Sequence, residues 1–370
     1  MIRLGLIIIL FCSATTLHAQ EPSEYRYIDQ IALAIPSAQT NTTADIAAYI
    51  QKHFKTDEEK VRAAYTWVTG NIKYDKDSLH RVILEEDNNE RVTFALRRKK
   101  GVCENFAAIF SDICLKSGVQ SFFIDGLSAQ NGRINREPHA WCAAKIEKDW
   151  FLFDPTWDAG MGFNGRSGKT SFYKIAPADF IQTHYPYDPI FQFLNYPLNF
   201  NEYSKNISSN RKNYFDYTDS IKVYQNTDSL SRFLSQLSRI ERNQWTPSLI
   251  DTKRKQLKLE IELIYQDNDM ANYNAAVNDY NVAIAILNNF LKYRNDQFLP
   301  AKTEEEVQQM FSNITSKIKS ANARLNTINQ SKATLFLDTG DVQKKLDDLV
   351  INVQQQQIFL KDYLLSRKEK

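Results

Sequence analysis

The distribution of glycine most strongly limits how this chain can fold. Ten of its eleven glycines and eight of its ten prolines lie within the first 200 residues, whereas the last 170 residues contain only Gly340. Glycine and proline mark turns and interrupt helices, so the first part predicts compact structure with many turns and the second predicts long helices. A chain of 370 residues is also longer than one hydrophobic core usually serves. We therefore expect two domains.

Three apolar stripes in the second part repeat at the three- or four-residue spacing of one helix face. They are Tyr273, Val277, Tyr280, Ile284, Leu287 and Leu291; Val307, Met310, Ile314, Ile318, Ala321, Leu325 and Ile328; and Val342, Leu346, Leu349, Val353 and Leu360. Thr303 and Glu306 form a capping-box pattern, and Pro300 before them separates two helices. Residues 246–370 are therefore predicted to be an antiparallel helical bundle that positions a substrate or a protein partner.

The first nineteen residues predict export. Arg3 is followed by an apolar run at residues 4–11 and a small-residue end at Ala19, which is typical of a signal peptide. We expect a secreted or periplasmic protein whose mature chain begins at Gln20. No later run reaches the roughly 18 apolar residues of a membrane span, so none is expected.

The predicted organisation is therefore a signal peptide at 1–19, a mixed helix and strand domain at 20–200, a connecting segment at 201–245 and a helical bundle at 246–370. The net charge is +2 with dispersed Lys and Arg, which argues against a nucleic-acid partner. No His, Cys and acidic cluster has metal-ligand spacing, and no glycine-rich phosphate loop occurs. We expect neither a metal nor another cofactor.

The first domain is predicted to contain helices followed by antiparallel strands. The helical patterns cover residues 43–53, 57–71 and 103–117, the last ending at Gly118. Strand-like segments follow at 121–125, 139–146 and 150–154. This order predicts an α+β fold.

Cys103 is a candidate nucleophile at the start of a predicted helix. The helix dipole and the basic residues 97–100 before it favour a thiolate. Cleavage would leave three cysteines, so at least one thiol is unpaired in an oxidising compartment or pairs between chains. Ala107, Phe110 and Cys114 share the helix face of Cys103, however, and considered alone this pattern favours core packing.

A nucleophilic cysteine needs a base and a group that orients the base. The segment "PHAWCAAKIEKDWFLFDPTWD" predicts a β-hairpin that carries His139 and Asp154. If its loop has an even number of residues, the two side chains lie on one face and close together. An odd loop without a bulge would separate them.

The motifs "AAYTWVTGNIKYD", "GVCENFAAIFSDIC", "PHAWCAAKI" and "WFLFDPTWD" resemble the core of the transglutaminase-like superfamily over residues 57–158. The segment from Phe172 to Pro197 looks like the extension of its kyphoscoliosis-peptidase-like branch. The resemblance implies a papain-like fold in which a helix-borne cysteine packs on an antiparallel sheet. It implies Cys103 as nucleophile, His139 as general base and then acid, and Asp154 as the orienting residue.

The expected function is that of an exported cysteine peptidase, amidase or protein-glutamine acyltransferase that acts on protein or peptide amides, with hydrolysis slightly favoured. The alternative is a non-catalytic transglutaminase-like binding scaffold. Cys114 and Cys142 could form a disulfide or remain buried thiols, and we favour buried thiols. His184 is predicted to be a packed loop residue, and Trp67 and Tyr74 are predicted to be core residues.

Overall fold

The computed structural model describes residues 25–78, 88–161, 171–205, 214–243, 245, 247–331 and 337–368. The chain divides between Thr218 and Asp219 into two compact units. The predicted signal peptide lies outside the described residues. Among the residues described, no helix is both long and apolar enough to cross a bilayer.

The first unit contains an α+β fold, as predicted. Its helices are α1 (Arg26–Leu33), α2 (Thr43–His53), α3 (Asp57–Asn71), α4 (Asn88–Arg98), α5 (Cys103–Lys116), α6 (Pro177–Phe180) and α7 (Phe200–Ser204). Its strands are β1 (Lys73–Tyr74), β2 (Lys100–Gly101), β3 (Ser121–Gln130), β4 (Arg133–Ile146), β5 (Asp149–Phe153) and β6 (His184–Pro186).

Local sequence signals account for where the helices begin. Thr42 and Thr56 cap α2 and α3, and each forms a reciprocal capping box with the acidic residue three positions later. Both helices match the predicted bounds. Helix α5 also begins where predicted, and Gly118 follows its end with the positive φ of 87° that glycine adopts without strain.

The sheet of the first unit has the order β5-β4-β3-β6, and its neighbouring strands are antiparallel. Helix α5 packs against β3 and β4. The helix that begins at Cys103 therefore covers the first strand of the predicted hairpin and the strand beside it. The buried side chains between these layers include Phe106, Phe110 and Phe153. Three strands were not predicted, namely β1 and β2, which form a short parallel pair, and β6 at the sheet edge, and helices α1, α4, α6 and α7 were not predicted either.

Gly126 allows the two neighbours of β3 to approach closely. It pairs with His139 on β4 and with Pro186 on β6. A Cβ at this position would lie 2.1 Å from the Tyr185 carbonyl oxygen and 2.6 Å from Trp141 Cη2. Only glycine fits here without a shift of β6.

We expect Gly126→Ala to lower the free energy of unfolding by about 1–3 kcal/mol, because the added methyl overpacks the sheet. Gly70→Ala is the matched control, since its Cβ would meet only the tip of the exposed Leu33 side chain, which can move aside. Urea titration of both variants measures the difference. Equal losses would contradict the assigned role of Gly126.

The second unit is helical, as predicted. Most of α8 (Tyr217–Asn226) belongs to it, together with α9 (Ser229–Arg242), α10 (Pro247–Asn295), α11 (Glu304–Asn329) and α12 (Thr339–Lys368). Helices α10 and α11 are antiparallel, because Asp279 bonds to Lys317 and Ser320 whereas Phe290 packs on Phe311. The predicted capping box of Thr303 and Glu306 is present.

The bundle core follows the second and third predicted stripes, whereas the first is shifted. In the first stripe Leu287 is buried, and the other predicted positions are partly buried next to the buried Ala276, Ala283 and Phe290. Every predicted position of the third stripe is buried, and in the second stripe Phe311 is buried where Met310 is only partly buried. Helix α9 packs on α10, and Arg254 pairs with Glu241. Part of the segment predicted to connect two domains at 201–245 therefore lies within the second unit.

Candidate active site

Cys103 is the first residue of α5 and lies half-buried at the edge of the core. The extended residue before it, Val102, donates its backbone N–H to Asn105 Oδ1 at 2.9 Å. Gly101 makes room for this turn, because a Cβ there would lie 2.5 Å from the Asn105 Cβ. The Gly-Val-Cys-Glu-Asn sequence thus sets the start of the helix that presents the thiol.

The basic residues before Cys103 have other partners. Lys99 Nζ lies 3.3 Å from the Thr40 carbonyl oxygen and 4.6 Å from the centre of the Trp67 ring. Arg98 pairs with the buried Asp75 at 3.0 Å. The prediction that the whole basic run favours the thiolate is therefore not supported for these two residues.

His139 and Asp154 lie on one face of the predicted hairpin. The loop between β4 and β5 has two residues, since Ile146 pairs with Asp149. An even loop keeps the side-chain alternation of the two strands in phase. Asp154 follows β5 directly, and its Oδ2 lies 2.7 Å from His139 Nε2. The structure therefore contains the even-loop arrangement that the triad hypothesis requires.

The Asp154 carboxylate is fully buried and accepts four hydrogen bonds. Oδ1 accepts the backbone N–H groups of Thr156 and Trp157 at 2.9 and 3.1 Å, and Oδ2 bonds to Nε2 of His139 at 2.7 Å and of His184 at 3.1 Å. Burial alone would raise the pKa of Asp154, but His139 and then His184 hold it well below its usual range. Asp154 is therefore ionised.

The His139 imidazole lies between this carboxylate and the Cys103 thiol. Burial lowers the pKa of His139, but the charge and hydrogen bond of Asp154, together with a hydrogen bond to Cys103, raise it to about 10. Because Asp154 engages Nε2, Nδ1 is the nitrogen that remains for the thiol. The three predicted site residues are thus brought together in the order thiol, imidazole, carboxylate, as nucleophilic catalysis requires.

His184 is a residue of this site that the sequence analysis missed. It lies in β6 rather than in a loop, and it is fully buried. Its Nε2 lies 3.1 Å from Asp154 Oδ2, and its Nδ1 lies 2.9 Å from Thr183 Oγ1. Burial lowers the pKa of His184 to about 4, so its ring is neutral. A three-residue strand is too short to show a period, so the sequence carried no signal for this contact.

Tyr65 of α3 fixes the chain just after β5. Its hydroxyl donates to Asp158 Oδ2 at 2.6 Å and to the Asp154 carbonyl oxygen at 3.0 Å. Burial, followed by the charge of Asp158, raises the pKa of Tyr65, which keeps the hydroxyl protonated. This tyrosine belongs to the motif "AAYTWVTGNIKYD", which was the available signal for a role near the site.

Tyr74 of the same motif lies beside the thiol. It is half-buried and pairs across β1–β2 with Gly101, two residues before Cys103. Burial raises the pKa of Tyr74 to about 12, and the charges of Cys103 and Asp154 contribute to the rise. Trp67 is buried in the core, as predicted. Tyr74 packs partly against that core, and its ring stacks on Phe106 with centres 6.4 Å apart.

The other two described cysteines are buried free thiols, which is the alternative favoured from the sequence. Cys142 Sγ donates to the Ala107 carbonyl oxygen at 3.3 Å. Burial raises the pKa of both Cys114 and Cys142, so each stays a neutral thiol. Neither offers a competing nucleophile.

One group of the described residues has donor atoms close enough to hold a metal ion. Ligand atoms of His139, Asp154 and His184 lie within 4.8 Å of one another, although the three residues are not spaced as ligands in the sequence. Both imidazoles already bond to the same carboxylate oxygen. These two hydrogen bonds account for the close approach of the three sets of ligand atoms.

Comparison with known proteins identifies the first unit. Residues 44–155 match the model of the transglutaminase-like superfamily. The chain is 30% identical over 164 residues to human (Homo sapiens) kyphoscoliosis peptidase, which covers 41% of this chain and 24% of that protein. It is 23% identical over 220 residues to Hillarin of Drosophila melanogaster, covering 53% of this chain and 26% of that protein. The chain thus spans about a quarter of the length of these relatives.

A solved structure of a transglutaminase (TGase) is also similar to this chain, with 16% sequence identity and a TM-score of 0.26. The alignment covers 42% of this chain and 38% of the TGase chain. The family match begins earlier than the resemblance seen in the sequence and ends just after Asp154. It includes Cys103 and His139 as well. Residues 44–155 therefore match the transglutaminase-like superfamily, in agreement with the resemblance of the sequence motifs.

Proposed function

We propose that this chain is an exported cysteine-dependent acyl-transfer enzyme that acts on amide or isopeptide bonds of proteins or peptides. Cys103 is the nucleophile, His139 the general base and acid, and Asp154 the group that orients the imidazole. The observation that carries the proposal is the buried 2.7 Å hydrogen bond between His139 and Asp154, with Cys103 contributing to the raised pKa of the same imidazole. Export rests on the signal-peptide pattern of residues 1–19.

In the first half-reaction, the Cys103 thiolate attacks the carbonyl carbon and a C–S bond forms. The imidazolium of His139 passes its proton to the leaving nitrogen, the C–N bond breaks, and an amine departs from the thioester. In the second half-reaction, His139 takes a proton from water or from an amine, which attacks the thioester. The C–S bond then breaks, and the thiolate and imidazolium are restored. Asp154 holds the ring throughout.

The negative oxygen that forms during each attack needs donors. Cys103 is the first residue of α5, so its backbone N–H has no acceptor within the helix and can serve as one donor. Tyr74 is our candidate for the other, because it pairs with Gly101, two residues before Cys103, and its raised pKa keeps the hydroxyl protonated. The sequence alone offered no side chain for this role.

We expect Tyr74→Phe to lower kcat on a small amide by about 10²-fold, because it removes a hydrogen bond that forms only in the transition state. KM should change little. Tyr49→Phe is the control, since Tyr49 stacks on His53 in α2 and makes no contact with the site residues. Steady-state kinetics of the two variants decides the matter. An unchanged kcat in Tyr74→Phe would remove it from the mechanism.

Hydrolysis is favoured over cross-linking in this proposal. Human kyphoscoliosis peptidase, which is 30% identical to this chain over 164 residues, carries the name peptidase. The half-buried thiol of Cys103 is also open to water at the start of its helix. Water that reaches the thioester produces a free acid, whereas shielding would favour an amine. The helical unit is proposed to position a protein substrate or partner.

The test is to incubate the purified protein with casein and a labelled primary amine. Release of fragments and incorporation of the amine are followed together, with Cys103→Ala as the blank. We expect fragment release to exceed amine incorporation. Dominant incorporation would make the chain a cross-linking enzyme. Neither product above the blank, on casein or on a panel of peptide amides, would favour a non-catalytic scaffold and contradict the proposal.

A further inference from the structure

The second histidine at the site is built to donate a hydrogen bond. Asp154 is ionised and can only accept, so the hydrogen of His184 is on Nε2, which lies 3.1 Å from Oδ2. Nδ1 then carries a lone pair, and it accepts the hydroxyl proton of Thr183 at 2.9 Å. Both ring nitrogens are thus satisfied in one tautomer.

The position of this ring is set by aromatic neighbours. Phe180 stacks on His184 with ring centres 4.0 Å apart, and Trp157 and Trp141 lie at 4.5 and 5.1 Å. The titratable groups that face His184 among the described residues are Asp154 and His139. An apolar enclosure of this kind strengthens a hydrogen bond and keeps the imidazole uncharged.

We propose that His184 is a positioning residue of the catalytic group. It holds Asp154 Oδ2 toward His139 and shares the carboxylate charge, so that His139 receives less than the full basicity of Asp154. The inference rests on the proposed function, because it concerns the same triad. It adds a fourth member that belongs to β6, outside the residues matched by the family model.

The consequence concerns the alkaline limit of amide turnover. In the proposed mechanism the His139 imidazolium protonates the leaving nitrogen, so turnover is lost when the imidazolium deprotonates. A carboxylate that accepts one hydrogen bond fewer is more basic and raises the pKa of His139 further. Removal of the His184 donor should therefore shift the alkaline limb of the pH profile to higher pH and leave the Asp154 side chain less firmly held.

The experiment measures kcat and kcat/KM on a small amide against pH in the full-length protein, together with the rate of Cys103 alkylation by iodoacetamide at pH 6 in the wild type and in His139→Ala. We expect His184→Phe to shift the alkaline limb upward and to lower kcat by about tenfold or more, with little change in KM. His184→Gln places an amide N–H near the same oxygen and should restore most of both. Phe180→Leu removes the stacked ring but keeps the donor, so it should lose stability without a shift of the limb.

Thr183→Val covers the case in which His184→Phe does not fold. It removes the hydrogen-bond partner of Nδ1, so the ring is held less firmly against Asp154, and the shift should be smaller and in the same direction. An unchanged profile in folded His184→Phe or Thr183→Val would overturn the proposal, as would a loss of kcat in His184→Gln that equals the loss in His184→Phe. If wild-type Cys103 shows no alkylation that depends on His139, it is the proposed function that fails.

Discussion

Cys103→Ala is expected to lower amide turnover by at least about 10³-fold while the protein stays folded. The substitution removes the only group that can form the thioester in the proposed mechanism. Because Cys103 is half-buried at the start of α5, loss of its sulfur should change the free energy of unfolding by less than about 1 kcal/mol. Steady-state kinetics and urea titration measure the two quantities.

Cys114→Ala is the matched control for this variant. Cys114 lies on the same helix and is buried in the core, so its loss should leave turnover unchanged and lower stability by about 1 kcal/mol. The two cysteines should therefore show opposite patterns. Turnover in Cys103→Ala close to that of the wild type would remove the nucleophile from the account.

Substitution of Asp154 is the second change with a large expected effect. Asp154→Asn keeps the shape of the side chain but presents an amide N–H to His139 Nε2, which forces the wrong tautomer on the ring. We expect a loss of about 10⁴-fold in kcat. Asp154→Ala should add a loss of about 3–5 kcal/mol in stability, because four buried donors lose their acceptor.

The pH dependence of stability provides a separate check on the same carboxylate. The folded pKa of Asp154 lies below its ordinary value of 3.8, so its contribution is present above that pH and is lost as the pH falls further. The stability difference between the wild type and Asp154→Ala should therefore shrink below pH 3.8. A difference that does not change with pH in this range would mean that Asp154 is not a stabilised carboxylate.

The parts of the site that follow from local rules were predictable. Capping residues and Gly118 define α2, α3 and α5, and the alternation of two strands joined by a short loop brings His139 to Asp154. The only open point was the parity of that loop. The apolar stripes of α11 and α12 were predictable for the same reason, since one helix face can be read from spacing alone.

The parts that depend on contacts between distant segments were not predictable. His184 reaches Asp154 through a three-residue edge strand, and that strand fits only because Gly126 has no side chain. Tyr65 reaches Asp158 across 93 residues of sequence. The basic residues 97–100 were predicted to act on Cys103 because they are adjacent to it in sequence. In the structure, however, Lys99 bonds to Thr40 and Arg98 pairs with Asp75. Sequence distance was a poor guide to electrostatic partners in both cases.

The most direct test of the central claim is the rate at which Cys103 is alkylated at pH 6, where an ordinary thiol is protonated. Peptide mass spectrometry after a brief exposure to iodoacetamide gives the rate at Cys103, with glutathione at the same pH as the reference. We predict that Cys103 reacts faster than glutathione and that His139→Ala removes this advantage. A rate no faster than that of glutathione, or one that is unaffected by His139→Ala, would contradict the account.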